Sequence, residues 1–181
     1  MKLVERLAAN KSTIVKKWFD LVAATYPPDT AKFLKANRDP FHNPVGKTTL
    51  EGLSAAFDAL LEGADPVVLD RALDPIIRIR AVQSFSPTQA TAFILALKPL
   101  VRELWSKGPS DPQAAADLRQ IEDGIDQVLL VAFDIYLKCR ETLFQLKVDL
   151  EKNRIHHAFV RAGLVADTPV QPSAAEPKGA V

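Results

Sequence analysis

A single cysteine, Cys139, gives the chain no way to form an internal disulfide. That usage fits a reducing, cytoplasmic setting. Charge of one sign is also missing: 23 basic residues face 22 acidic ones. A net charge of +1 builds no field that would gather nucleic acid or an acidic membrane surface. No apolar run approaches the roughly 20 residues that span a bilayer, so membrane insertion is not expected. The opening Met1-Lys2-Leu3-Val4-Glu5-Arg6 is charged and lacks the apolar core of a secretion signal. Among chemical motifs, HxxxH, HExxH, CxxC, GxSxG, the P-loop and GxGxxG are all missing. Nothing therefore anchors an enzyme, a metal site or a nucleotide site, and no cofactor is expected. No β-branched run alternates with polar residues between turn signals, so no strand is expected either.

What is present is helical pattern. With 181 residues, 48% hydrophobic and 25% charged, the chain can bury one sizeable core. Leu3 to Ala9 reads as a short opening helix. Ser12 then caps a second, on which Ile14, Trp18, Leu21 and Val22 share a face with Thr25 at its lower end. Tyr26-Pro27-Pro28 stops it, and Pro28 starts one or two turns carrying Phe33 and Leu34. The stretch from Asn37 to Gly46, with two prolines and two asparagines, reads as a fixed loop. A helix follows from about Lys47 to Leu61, with Leu50, Leu53, Phe57, Leu60 and Leu61 inward and Gly63 as its stop. Asp65-Pro66 and Asp74-Pro75 are start signals for two helices, Pro66 to Leu73 and Pro75 to about Gln83. Ser86-Pro87-Thr88-Gln89 has the form of a capping box. The helix it starts carries Phe93, Leu95, Leu97, Leu100, Val101 and Leu104, bends at Pro99, and ends near Trp105 and Gly108.

From Asp111-Pro112, a cap and a first-turn proline, one helix is allowed to about Arg161. At roughly 45–50 residues it would be about 70 Å long. Leu118, Ile121, Ile125, Val128, Ala132, Ile135 and Cys139 alternate at three and four, the pattern of a helix facing another. Two successive steps of four then move the stripe to Leu143, Leu146 and Leu150, as for a different neighbour. Ile135, Cys139, Leu143, Leu146 and Leu150 are the expected seam of a homodimer, to which Ile155 and Phe159 add apolar surface. Residues 166–181, small and proline-rich, read as a disordered tail behind a domain spanning 1–165.

Several side chains have both a functional and a plainer reading. His42 lies in a loop, and His156 and His157 stand among Lys152, Arg154 and Arg161, so surface histidines are favoured over haem ligands. Arg78 and Arg80 sit in an apolar helix; one is expected to clamp Asp70, Asp74 or a loop carbonyl, the alternative being an anion or partner contact. Cys139 reads as packing in preference to a redox switch. Trp18, Tyr26, Phe33 and Phe41 read as core, with a small-molecule pocket as the alternative.

Trp18 with Tyr26-Pro27, and then Asp39-Pro40-Phe41-His42-Asn43-Pro44-Val45-Gly46, resembles the opening of the RsbRD N-terminal domain. Ile79-Arg80-Ala81-Val82-Gln83-Ser84-Phe85-Ser86-Pro87-Thr88-Gln89-Ala90, with Leu97-Lys98, is similar to that family's middle segment. The resemblance covers about Trp18 to the middle of the long helix. It implies an all-α, globin-like sensory domain of stressosome RsbR-type signal transduction, usually without haem and dimeric through its helices. In longer relatives the last helix leads to a STAS domain; here only the tail follows, which implies a stand-alone sensor or adaptor. Expected partners are a second copy and a protein signalling partner. Trp18, Tyr26, Phe41, His42, Asn43, Arg78 and Arg80 are the expected ligand or partner contacts. The alternative is a globin-like carrier or sensor of haem or another hydrophobic cofactor.

Overall fold

Proline sets the phase of this fold, because five of its helices begin on one. A computed structural model describes residues 2–36, 42–83, 85–106 and 112–164. Over these the chain is all-α: α1 (Leu3–Ala9), α2 (Lys11–Ala23), α3 (Pro28–Ala36), α4 (Pro44–Leu61), α5 (Pro66–Val82), α6 (Pro87–Thr91), a 3-10 turn (Ala92–Ile94), α7 (Leu97–Trp105) and α8 (Pro112–Arg161). Proline opens α3, α4, α5, α6 and α8, where its missing N–H costs nothing and its fixed φ already suits the helix. The chain divides into two units, residues 1–139 and 140–181.

The first unit has one core. Trp18, Phe57, Leu69, Leu73, Ile76, Ile77, Ile94, Leu97 and Ile125 are among its fully buried side chains. The stripe predicted on the long helix supplies Ile121, Ile125, Val128, Ala132, Ile135 and Cys139 to it, with Leu118 packed at the edge. Two glycines let helices approach closely: a Cβ on Gly52 would stand 2.7 Å from the Ala72 carbonyl oxygen of α5, and one on Gly124 would stand 2.6 Å from Leu60 Cδ1. Side-chain ties finish the packing. Lys98 Nζ donates to Asp126 Oδ2 at 2.9 Å, Trp105 Nε1 to the Ala114 carbonyl at 3.1 Å, and the Tyr136 hydroxyl to the Phe85 carbonyl at 2.6 Å.

Several expectations need correction. The helix predicted from Lys47 starts at Pro44, because Asn43 caps it, accepting from Gly46 N at 2.9 Å. The two helices predicted around Pro75 are one. Pro75 removes one backbone bond, but Leu69, Ala72, Leu73, Ile76 and Ile77 form one buried face whose packing outweighs it. The single bent helix predicted after Ser86 is instead α6, a 3-10 turn and α7. The break comes before Pro99, not at it. Restarting at Leu97 puts Pro99 in a first turn, where no helical donor is needed. Leu50, expected inward, is 43% exposed; Leu21, expected on the face of Ile14 and Trp18, is 41% exposed, as is Leu95. Phe33 is exposed as well, while Leu34 is buried. Phe41, the Asp111 cap, Gly108 and the tail lie outside the described residues.

In the second unit the helix ends at Arg161 and is closed by Gly163 at φ 73°, with Leu164 N donating to the Phe159 carbonyl at 3.0 Å. This is the left-handed stop that glycine adopts without strain. Phe144, Leu146, Leu150, Ile155, Phe159 and Leu164 are all exposed along it, and Leu143 is half-buried.

Candidate functional site

In the first unit α5 carries a buried face of Leu73, Ile76, Ile77, Arg80 and Ala81. An arginine therefore occupies a core position: Arg80 is 1% exposed. Its Nη2 donates to the Gln89 carbonyl at 2.7 Å and to Thr25 Oγ1 at 2.9 Å. Thr25 in turn donates to the Val22 carbonyl at 2.7 Å. No carboxylate among the described residues pairs with the guanidinium; three rings surround it, with centroids 4.3 Å (Phe85), 5.2 Å (Tyr26) and 5.2 Å (Phe93) from its carbon. Ring faces carry negative potential, so they recover part of what desolvation of the cation costs. Burial pushes the Arg80 guanidinium below the ordinary arginine value, and Tyr26 works against that shift.

The rings continue outward. Tyr26 meets Phe85 edge-on at 5.2 Å, and Trp18 lies 6.2 Å from Phe93, donating from Nε1 to its carbonyl at 2.8 Å. The fold thus brings Trp18, Tyr26 and Arg80 together, and a shallow cavity of about 420 Å³ lies over Thr25, Tyr26, Phe85 and Gln89. The other predicted contacts are elsewhere. Arg78 is exposed and clamps Asp74, one of the partners expected, from Nε to both carboxylate oxygens at 2.9 and 2.7 Å. That pairing raises its pKa further. His42 is an exposed turn residue. Asn43 is buried by its own cap and by donating from Nδ2 to the Leu34 carbonyl at 2.9 Å. Phe41 lies outside the described residues.

Sequence reasoning missed a larger feature of the same unit. Between the α1–α2 corner, the end of α3 and the start of α4 lies a groove of about 860 Å³. Val15, Leu34 and Leu50 contribute apolar wall, and Lys11, Lys16, Lys35 and Lys47 also line it. The available signal was the set of lysines beside apolar residues near three helix ends, but only tertiary packing assembles them. No histidine lines either cavity.

Of the predicted seam, Ile135 and Cys139 are buried in the core of their own unit. Burial pushes the Cys139 thiol above its ordinary value, with Arg78 opposing. Leu146 and Leu150, in the second unit, are 56% and 67% exposed. Among the described residues no group of three or more His, Cys, Asp or Glu side chains is placed to hold a metal ion, and no helix is long and apolar enough to cross a membrane.

A family model described as the RsbT co-antagonist protein rsbRD N-terminal domain matches residues 12–148. No curated protein and no solved structure matches the chain.

Proposed function

The chain belongs to the RsbRD N-terminal domain family, and from that membership we propose a non-catalytic sensory module that works as a homodimer. The family's stressosome-type signalling role supports a module that receives a small ligand or a protein signalling partner, in a cytoplasmic setting. The sensory domain spans 1–165 in this reading, with a globin-like helical arrangement. The observation that carries the dimer is the second unit's helix. Leu146, Leu150, Ile155 and Phe159 are exposed on it, more apolar surface than a lone helix presents to water without a partner. A second copy offers the same surface and is the simplest complement. The seam is therefore assigned to Leu143, Leu146 and Leu150. Ile135 and Cys139 are dropped from it, because they are already covered within their own unit.

Size-exclusion chromatography with light scattering tests this reading. A dimer is expected at micromolar concentration, and Leu146→Glu with Leu150→Glu should convert it to monomer with helicity retained. A wild-type chain that stays monomeric at high micromolar concentration overturns the assignment.

A further inference from the structure

We propose that the groove between the α1–α2 corner, α3 and α4 is a site for a free long-chain carboxylate, with the alkyl chain on the apolar wall and the carboxylate among the lysines. This names the ligand class for the sensory reading above and rests on that reading, but not on the dimer.

Three observations carry it. Size is the first: about 860 Å³ falls within the range of small-ligand sites. The second is the wall. Val15 and Leu34 are buried beneath it, yet Leu50 remains 43% exposed at its side, so apolar surface is left in contact with water. The floor is held in shape by Asn43, which joins the Leu34 carbonyl to the Gly46 N–H across the junction of α3 and α4.

Charge is the third. Among the described residues that line the groove, four are lysines and one, Asp20, is acidic. Lys35 meets Asp20 at 3.6 Å and Lys47 meets Glu51 at 3.8 Å, both long, exposed pairs of the kind that contribute little. Lys11 is held more firmly by Asp58 at 2.6 Å. Lys16 has no carboxylate partner among the described residues. Lys16, Lys35 and Lys47 can therefore turn to an incoming anion at small cost. A whole chain near neutrality has no reason to concentrate cations here by composition alone. An apolar wall beside local positive charge complements an amphiphile that is itself apolar at one end and anionic at the other.

The probe is cis-parinaric acid, a fluorescent polyene carboxylate, titrated against the full chain. Saturable one-to-one binding is expected, with its methyl ester at least about tenfold weaker, since one favourable charge contact is worth about that factor. Raising salt should weaken the acid and leave the ester unchanged. Lys16→Glu and Leu50→Glu, both exposed positions, should each weaken the acid about tenfold or more while the circular dichroism spectrum and melting temperature hold. Equal affinity for acid and ester, or variants that bind like wild type, overturns the proposal. So does the lack of saturable binding up to the probe's solubility. Vesicles of phosphatidylglycerol binding where the free acid does not would make this a membrane surface, and would overturn it too. A failure here leaves the light-scattering result on the dimer standing, and the reverse also holds.

Discussion

Arg80 holds its guanidinium carbon 4.3 Å from the centre of the Phe85 ring, and no carboxylate among the described residues pairs with it. The cation is kept by packing and two oxygen acceptors, so the two contributions can be separated. Arg80→Ala removes both and leaves a hole among three rings; a loss of about 3–5 kcal/mol is expected. Arg80→Met keeps most of the volume and abolishes the buried charge, leaving only the Gln89 carbonyl and the Thr25 hydroxyl to re-pair. It should lose about 1–2 kcal/mol. Urea unfolding measures both. Equal losses would mean that the hydrogen bonds, not the ring contacts, dominate.

The Tyr136 hydroxyl donates to the Phe85 carbonyl at 2.6 Å, tying α8 to the segment that leads into α6. Tyr136→Phe deletes only that donor and should cost about 1–2 kcal/mol in chemical denaturation. A loss well below this would mean that water reaches the carbonyl unaided.

Gly52 and Gly124 look alike in sequence, each within a helix, but should respond oppositely to alanine. At Gly52 the new methyl would meet the Ala72 backbone oxygen at 2.7 Å, which cannot move without shifting α5. Gly52→Ala is expected to lose about 1–3 kcal/mol. At Gly124 the obstacle is the Leu60 Cδ1 tip, which can rotate away, while alanine gains about 1 kcal/mol of helix propensity. Gly124→Ala should melt at or slightly above wild type in calorimetry; a clear fall would show that Leu60 has no other rotamer available.

Burial raises the Cys139 thiol above its ordinary value of 9.0. The folded state therefore keeps its proton where the unfolded chain has released it. Its contribution to stability is complete below pH 9.0 and is lost as pH rises toward the folded value. Cys139→Ala should flatten the alkaline fall in melting temperature relative to wild type. The native thiol should also react with a maleimide far more slowly than the denatured chain. Superimposable alkaline profiles would remove Cys139 as a cause.

Local signals were legible. Ser86 and Gln89 form the predicted capping box, with Gln89 N to Ser86 Oγ at 3.2 Å and Ser86 N to Gln89 Oε1 at 3.0 Å. Asp65 caps α5 as predicted. The stripe from Ile121 to Cys139 was also readable, because a helical period survives in sequence whatever it packs against. Pro75 looks like a helix start in sequence but does not split α5, since tertiary burial on both sides of it outweighs one missing bond. Asn43-Pro44 carries the same local cap-and-proline signal as Asp65-Pro66, but it sits inside a stretch whose prolines and asparagines read as loop throughout. The site was legible only in pieces. Trp18, Tyr26 and Arg80 were each singled out, and Arg80 follows Ile76 and Ile77 at helical spacing, a sign that it turns inward. Their meeting with Phe85 and Phe93 depends on where α6 and the 3-10 turn place those rings. The lysine-lined groove is assembled from three helix ends that no short-range pattern connects.

The two units also differ in what light they absorb and emit. Trp18 and Trp105, with Tyr26 and Tyr136, all lie before residue 140, and no tryptophan or tyrosine follows. Trp18 is sealed in the core at 1% exposure, so its emission is that of an indole shielded from water until the first unit opens. Far-ultraviolet circular dichroism, by contrast, reads every helical turn through Arg161. If the helix of the second unit melts on its own, ellipticity will fall while tryptophan emission stays constant. A mismatch between the two curves is then a spectroscopic signature of that unit alone, available without a label.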